Sequence, residues 1–345
     1  MGCRAVGLGL AVAVALLAPP VRAQALPSDG AIAAGRAALA DAIRRGATQG
    51  LAVAVAAGGQ VVWAEGFGHA DASGRVPVAA DTRFGIGSIS KTLTMAGALA
   101  LVDAGLLALD APLETYLPDF PYPGRGITAR RVAAHQSGLS DSFAAREYYS
   151  TRRYPDLETA YRELRRERLA FEPGTRTEYA TGLFTLVGRA MERAARAPFS
   201  AILHDRVFQP VGMTRTLPRD PRHPPPGSSA FFLGTGGGGW REAPLADPSH
   251  KLPGAGFLST AEDLARLGAA LLRPGLLSDA ARREMLTPVP LADGTATNFA
   301  LGFQALREDG HRLLLQPGGG IGITGWLAVY PDDDLVVAIL ANTTG

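Results

Sequence analysis

Phe84-Gly85-Ile86-Gly87-Ser88-Ile89-Ser90-Lys91-Thr92 opens a stretch whose continuation, Met95 to Val102, is apolar nearly all round. A run of this kind predicts a buried helix, read here over Ser88 to Ala104 and closed by Gly105. Three-residue spacing puts Ser88 and Lys91 on one helical face. Burial disfavours the charged ammonium, and so does the positive end of the helix dipole. An ordinary lysine, with a pKa of about 10.4, is neutral in roughly one molecule in 2,500 at pH 7, so a useful base needs roughly 4 kcal/mol of destabilisation of its charged form. Ser88 as nucleophile and Lys91 as its proton acceptor is therefore the first reading of this stretch.

Composition sharpens that reading. Only Lys91 and Lys251 are lysine among 34 basic residues, so arginine fills the generic cationic positions. A lysine can lose its proton where an arginine cannot. Lys251 is read as a solvated surface residue or, alternatively, as a cation on the rim of a pocket.

The chain has 345 residues, enough for one large domain or two closely packed ones. Arg4, an apolar run from Ala5 to Ala18 and Pro-Pro-Val-Arg-Ala ending at Ala23 fit a secretory signal, residues 1–23. This predicts a periplasmic or secreted protein whose membrane contact is through that signal before cleavage. Basic and acidic residues balance after Ala23, which gives no support to nucleic-acid binding. Cys3 is the only cysteine, so thiol catalysis and cysteine-ligated metals are excluded once the signal is removed.

Residues 30–45 read as a helix. Leu51–Ala57 and Gln60–Gly66 flank Gly58-Gly59 as a hairpin, and Trp326–Tyr330 with Leu335–Ala341 form a second one. Between them lie helical patterns over Leu157–Leu169, Gly182–Ala195, Ala201–Phe208, Thr260–Leu272 and Ser278–Leu286, while Leu217–Gly239 reads as an irregular loop. The fold class expected is α/β: an antiparallel sheet built from both chain ends, flanked by helices, with a mostly helical insertion. The sheet part takes in about 24–105 and 287–345, and the helical part about 106–286, of a single domain spanning 24–345.

The string around Ser88 resembles the serine beta-lactamase and penicillin-binding-protein superfamily, specifically its class C-like branch. The resemblance runs in order through Ala70–Thr82, Leu106–Phe120, His135-Gln136-Ser137-Gly138-Leu139, Phe171-Glu172-Pro173-Gly174, Glu178-Tyr179-Ala180-Thr181, Pro210-Val211-Gly212-Met213, Pro253–Leu264 and Leu301-Gly302-Phe303. The Ser-Ile-Ser-Lys and Tyr-x-Thr variants are most similar to the mitochondrial-type serine beta-lactamase-like proteins.

What the resemblance implies is an acyl-enzyme on Ser88, with Lys91 and Tyr179 exchanging its proton and the phenol protonating the leaving group. Thr181, Gln316, Gly318 and Gly319 fall at substrate-binding positions, and Gly319 supplies an oxyanion amide beside that of Ser88. Thr181 stands where many relatives have asparagine. Gln316-Pro317-Gly318 replaces a Lys/His-Thr/Ser-Gly motif, removing the groups with which relatives bind a substrate carboxylate. An exported serine hydrolase acting on small-molecule or peptide esters or amides is the leading expectation, without cofactor or metal. A catalytically silent binding member, and a beta-lactamase or D-alanyl-D-alanine carboxypeptidase, are the alternatives. His135 is expected at a helix-to-loop junction in a structural role. The Gly-x-Gly-x-x-Gly strings at Gly234 and Gly320 do not lead from a strand into a helix, and no Gly-x-Ser-x-Gly elbow is present. Relatives of this branch close the sheet with a C-terminal helix. Its lack after Leu335–Ala341 predicts an exposed apolar strip, or cover from a partner or from the N-terminal helix.

Overall fold

The computed structural model describes residues 27–235 and 239–344. The expected signal, residues 1–23 with Cys3, lies outside the described residues. Among those described, no helix is long and apolar enough to cross a membrane.

The first helix, α1, spans Asp29–Arg44 and is capped by the Ser28 hydroxyl, which accepts from the Ala31 amide at 3.2 Å. The hairpin follows, with β1 at Gly50–Ala57 and β2 at Gln60–Gly68. Gly58 and Gly59 both adopt positive φ, 60° and 79°, as a two-residue turn of this hand requires.

Five further strands complete the large sheet: β3 (Phe299–Ala300), β4 (Phe303–Glu308), β5 (His311–Gly320), β6 (Ile323–Tyr330) and β7 (Leu335–Ala341). The order is β2-β1-β7-β6-β5-β4-β3, antiparallel throughout. The N-terminal hairpin and the last strand of the sheet therefore meet within it, where β1 pairs with β7 through Ala54 and Ala338.

The helices are α2 (Ser90–Asp103), α3 (Leu157–Leu164), α4 (Phe184–Ala195), α5 (Ala261–Leu271) and α6 (Asp279–Met285), together with shorter turns. Helix α5 lies directly on the sheet. A Cβ at Gly268 would fall 2.6 Å from Val336, so only glycine permits this approach. On the opposite face Gly35 of α1 abuts Trp63 of β2. Farther along that face Trp326 is 46% exposed beside Pro317 and Ile339.

Several expectations need correction. Ser88 is not in the α-helix: Gly87–Ile89 form a 3-10 turn, and α2 begins at Ser90. Gly87, at φ 49°, sets that turn, and the Ser90 hydroxyl donates to its carbonyl at 2.7 Å. Helix α3 ends at Leu164 rather than Leu169, because Glu167 turns inward to accept from Ser142 and from the Phe143 amide. The stretch 217–239 is not wholly irregular. Leu217–Pro218 pairs with Phe257–Ser259, and Phe232–Gly234 pairs with both Trp240–Glu242 and Thr343–Thr344. Phe257–Ser259 and Thr343–Thr344 are remote in sequence, so local patterning does not reveal those pairings.

Strand β5 positions the site. Its pairing with β4 stops at Leu315, so Gln316 to Gly320 keep β6 on one side and a free edge on the other. Proline is tolerated on such an edge. Asn342 locks the chain end behind it: fully buried, it accepts from the Gly50 amide at 2.9 Å and donates to His69 O at 3.0 Å and Ser229 Oγ at 2.8 Å.

Candidate active site

Four segments converge: the turn carrying Ser88, the first turn of α2, the Tyr179–Thr181 loop before α4, and the free edge of β5. Lys91 is 1% exposed. Its Nζ lies 2.9 Å from Ser88 Oγ, 3.0 Å from Thr181 Oγ1 and 3.2 Å from the Gly254 carbonyl. An ammonium can donate to all three oxygens; a neutral amine donates to Thr181 and Gly254 and turns its lone pair toward the Ser88 hydroxyl.

Burial pushes the Lys91 ammonium down from its ordinary range, while negative charge on Tyr179 and Asp141 opposes the shift. For Tyr179, burial acts to raise the phenol, but the charge of Lys91 and hydrogen bonds with Ser88, Lys91 and Gln316 outweigh it and lower it. The two groups are coupled, so the dyad holds its protons jointly. Lys91 Nζ sits 4.7 Å from the Tyr179 ring centroid. Tyr179 remains 44% exposed, leaving one side accessible from solvent.

The strand edge meets the serine turn at van der Waals limits. A Cβ on Gly87 would lie 2.7 Å from Gly319 N, and one on Gly318 would lie 2.2 Å from Ile86 O. The Gly319 amide is thereby held beside the Ser88 turn, as an oxyanion pair requires. Gln316 has a different setting. It is buried, donating to the Pro317 carbonyl at 2.9 Å and hydrogen-bonding Tyr179, so it backs the phenol instead of lining an open wall.

Sequence reasoning missed Asp141 and read His135 as structural without the contacts through which the two hold Tyr179 and Thr181. Asp141 Oδ2 accepts from the Thr181 amide at 2.6 Å and the Gly182 amide at 3.1 Å. His135, at φ 61°, accepts from Ala180 N on Nδ1 at 3.2 Å and from Glu178 N on its carbonyl at 2.8 Å. Its ring also packs against Tyr179, with centroids 4.4 Å apart. His135 thus clamps the tyrosine loop and belongs to no Ser/His/Asp triad. Its position just before Gln136-Ser137-Gly138-Leu139 was the available signal. Lys251 corrects another expectation. It is not solvated but partly buried, 4.8 Å from the Tyr148 ring centroid, and burial pushes it down to about 8.

Two histidines make stability pH-dependent. Burial, with the Lys91 charge second, pushes His135 down to about 3, and burial takes His250 to about 4. The unfolded chain binds their protons near pH 6.5 and the folded protein does not, so stability present above pH 6.5 is lost as pH falls toward those values. Lowering pH from 7 to 5 should cost about 2 kcal/mol per histidine. The measurement is the urea midpoint at each pH, and an unchanged midpoint would contradict the neutral buried rings.

An antiparallel sheet flanked by helices, with a buried Ser-x-x-Lys turn facing a glycine strand edge, defines the penicillin-binding class of serine hydrolase folds. The sequence profile of the beta-lactamase family matches residues 33–345, and the chain belongs to that family. It is 26% identical to the human "Serine beta-lactamase-like protein LACTB, mitochondrial" across 82% of this chain and 69% of the relative. Esterase EstB of Burkholderia gladioli is 30% identical over 70% of this chain and 72% of its own. The crystal structure of a penicillin binding protein from Bacillus halodurans superposes with a TM-score of 0.77 at 25% identity, covering 88% of this chain and 94% of that one.

Proposed function

We propose that this protein is an exported serine hydrolase that cleaves ester or amide bonds through an acyl-enzyme on Ser88. The observation that carries the reading is the buried Lys91 Nζ, 2.9 Å from Ser88 Oγ and, among the described residues, in no ion pair. Neutral Lys91 takes the hydroxyl proton as Ser88 Oγ attacks the substrate carbonyl. Negative charge on the carbonyl oxygen is met by the Ser88 and Gly319 amides. Tyr179, coupled to Lys91, passes a proton to the leaving group, and a water then repeats the sequence to release the acid.

Beta-lactam or peptide C-terminal recognition is less well supported, since Gln316 is uncharged and Pro317 has neither hydroxyl nor amide hydrogen. The likeness to an esterase supports esters as substrates. Export rests on residues 1–23 alone.

Treatment of the purified protein with a fluorophosphonate, followed by peptide mass mapping, is expected to place the adduct on Ser88. Absence of an adduct, or its location on another residue, would overturn this assignment and favour a silent binding protein.

A further inference from the structure

A cavity of about 40 Å³ adjoins the serine turn, walled by Gly87, Gly319, Gly320, Tyr148, Arg219 and Lys251. Its size suits a carboxylate and little more. The two cations facing it have no ion pair among the described residues. Lys251 lies over Tyr148, and the Arg219 guanidinium lies over Phe231, 4.4 Å from the ring centroid, with a buried Nε that has no hydrogen-bond partner. The acid on the same wall, Asp247, is already engaged: it accepts from Arg222 Nη1 at 2.9 Å and from the Ser249 amide at 2.9 Å, with Arg153 at 3.7 Å. Burial weakens both cations, opposed by Asp247 at Arg219 and by Asp141 at Lys251, where Lys91 and Arg219 add repulsion; Lys251 at about 8 and Arg219 at about 10 still hold their protons at pH 7. Partly buried positive charge with no direct ion pair is stabilised by an anion.

Position tells which part of a substrate would carry that anion. Gln316, hydrogen-bonded to Tyr179, marks the leaving-group end of β5, and Gly320 lies four residues further along. At about 3.3 Å per residue this is roughly 13 Å of strand, with the oxyanion amide of Gly319 between. The cationic cavity is therefore on the acyl side of the nucleophile.

We propose that Lys251 and Arg219 form a subsite for a carboxylate on the acyl portion of the substrate, so that preferred substrates are monoesters or monoamides of small dicarboxylic acids. This rests on the serine-hydrolase reading, and recognition is moved from the leaving-group end, where Gln316 and Pro317 stand, to the opposite end of the strand.

The test compares 4-nitrophenyl hydrogen adipate with 4-nitrophenyl hexanoate, which differ by a terminal carboxylate against a methyl. At pH 7, corrected for uncatalysed hydrolysis, the ratio of kcat/KM should exceed about tenfold in favour of adipate. Lys251→Met and Arg219→Met should each lower that ratio about tenfold or more, and Lys251→Arg should restore most of it. A ratio near one in the wild type, or one that neither methionine variant moves, overturns the subsite. If the wild type cleaves neither ester, the hydrolase reading fails separately, and calorimetric binding of free adipate decides the subsite. Binding to the wild type that is lost in Lys251→Met upholds it, and no binding to the wild type overturns it.

Discussion

Lys91→Arg is expected to lower kcat for ester hydrolysis by about three orders of magnitude, the scale of losing a general base. The substitution keeps a positive charge at the position and removes the ability to give it up, since a guanidinium stays protonated under all protein conditions. With no lone pair 2.9 Å from Ser88 Oγ, the hydroxyl loses the acceptor that the proposed mechanism gives its proton. The charge would also remain where the native geometry disfavours it: Lys91 is buried, and burial is the largest influence on its proton affinity. Arginine is the larger side chain in a fully packed site, so Lys91→Met serves as a companion of similar length. It keeps the packing and loses both charge and base, and should be as inactive as the arginine variant. Steady-state kinetics together with circular dichroism on both proteins separate lost chemistry from lost fold. Wild-type-like turnover in either folded variant would remove Lys91 from the mechanism.

The Ser88–Lys91 pair was legible because two local signals coincide, a three-residue spacing and an apolar run that predicts burial. Both hairpins were legible for similar reasons, each with alternating β-rich segments around a short turn. Strands β4 and β5 were not. Pro317 and Gly318 to Gly320 argue against a strand on propensity, and only the three-dimensional position of β5, unpaired on one edge beyond Leu315, explains why they are tolerated. Asp141 escaped, and His135 was legible as structural but not as a clamp on Tyr179, because the backbone groups they hold, at Ala180 to Gly182, lie 40 or more residues away in sequence. Lys251 fell between the two cases. The scarcity of lysine singled it out, but its burial against Tyr148, and its lack of an ion pair among the described residues, are properties of packing that composition does not carry.

Gly87→Ala should reduce kcat by about two to three orders of magnitude, the scale of losing one oxyanion donor, while leaving a folded protein. Two costs are involved. At φ 49° an alanine pays backbone strain of about 1–2 kcal/mol. Its Cβ would also stand 2.6 Å from Gly319 O and 2.7 Å from Gly319 N, both backbone atoms of a strand pinned from behind by β6, with no flexible side chain to yield. The strand edge must therefore retreat from the serine turn, and the Gly319 amide leaves the place where the carbonyl oxygen develops charge. Gly105→Ala supplies the control, since Gly105 has φ 69° and its Cβ would meet nothing within 4 Å. It incurs the strain alone, so its stability should fall by a similar amount with kcat little changed. Measuring urea midpoints and kcat for the pair isolates displacement of the strand from strain in the chain. If folded Gly87→Ala keeps wild-type kcat, the second oxyanion donor is not the Gly319 amide, and the close approach of β5 to the Ser88 turn has a purely structural role.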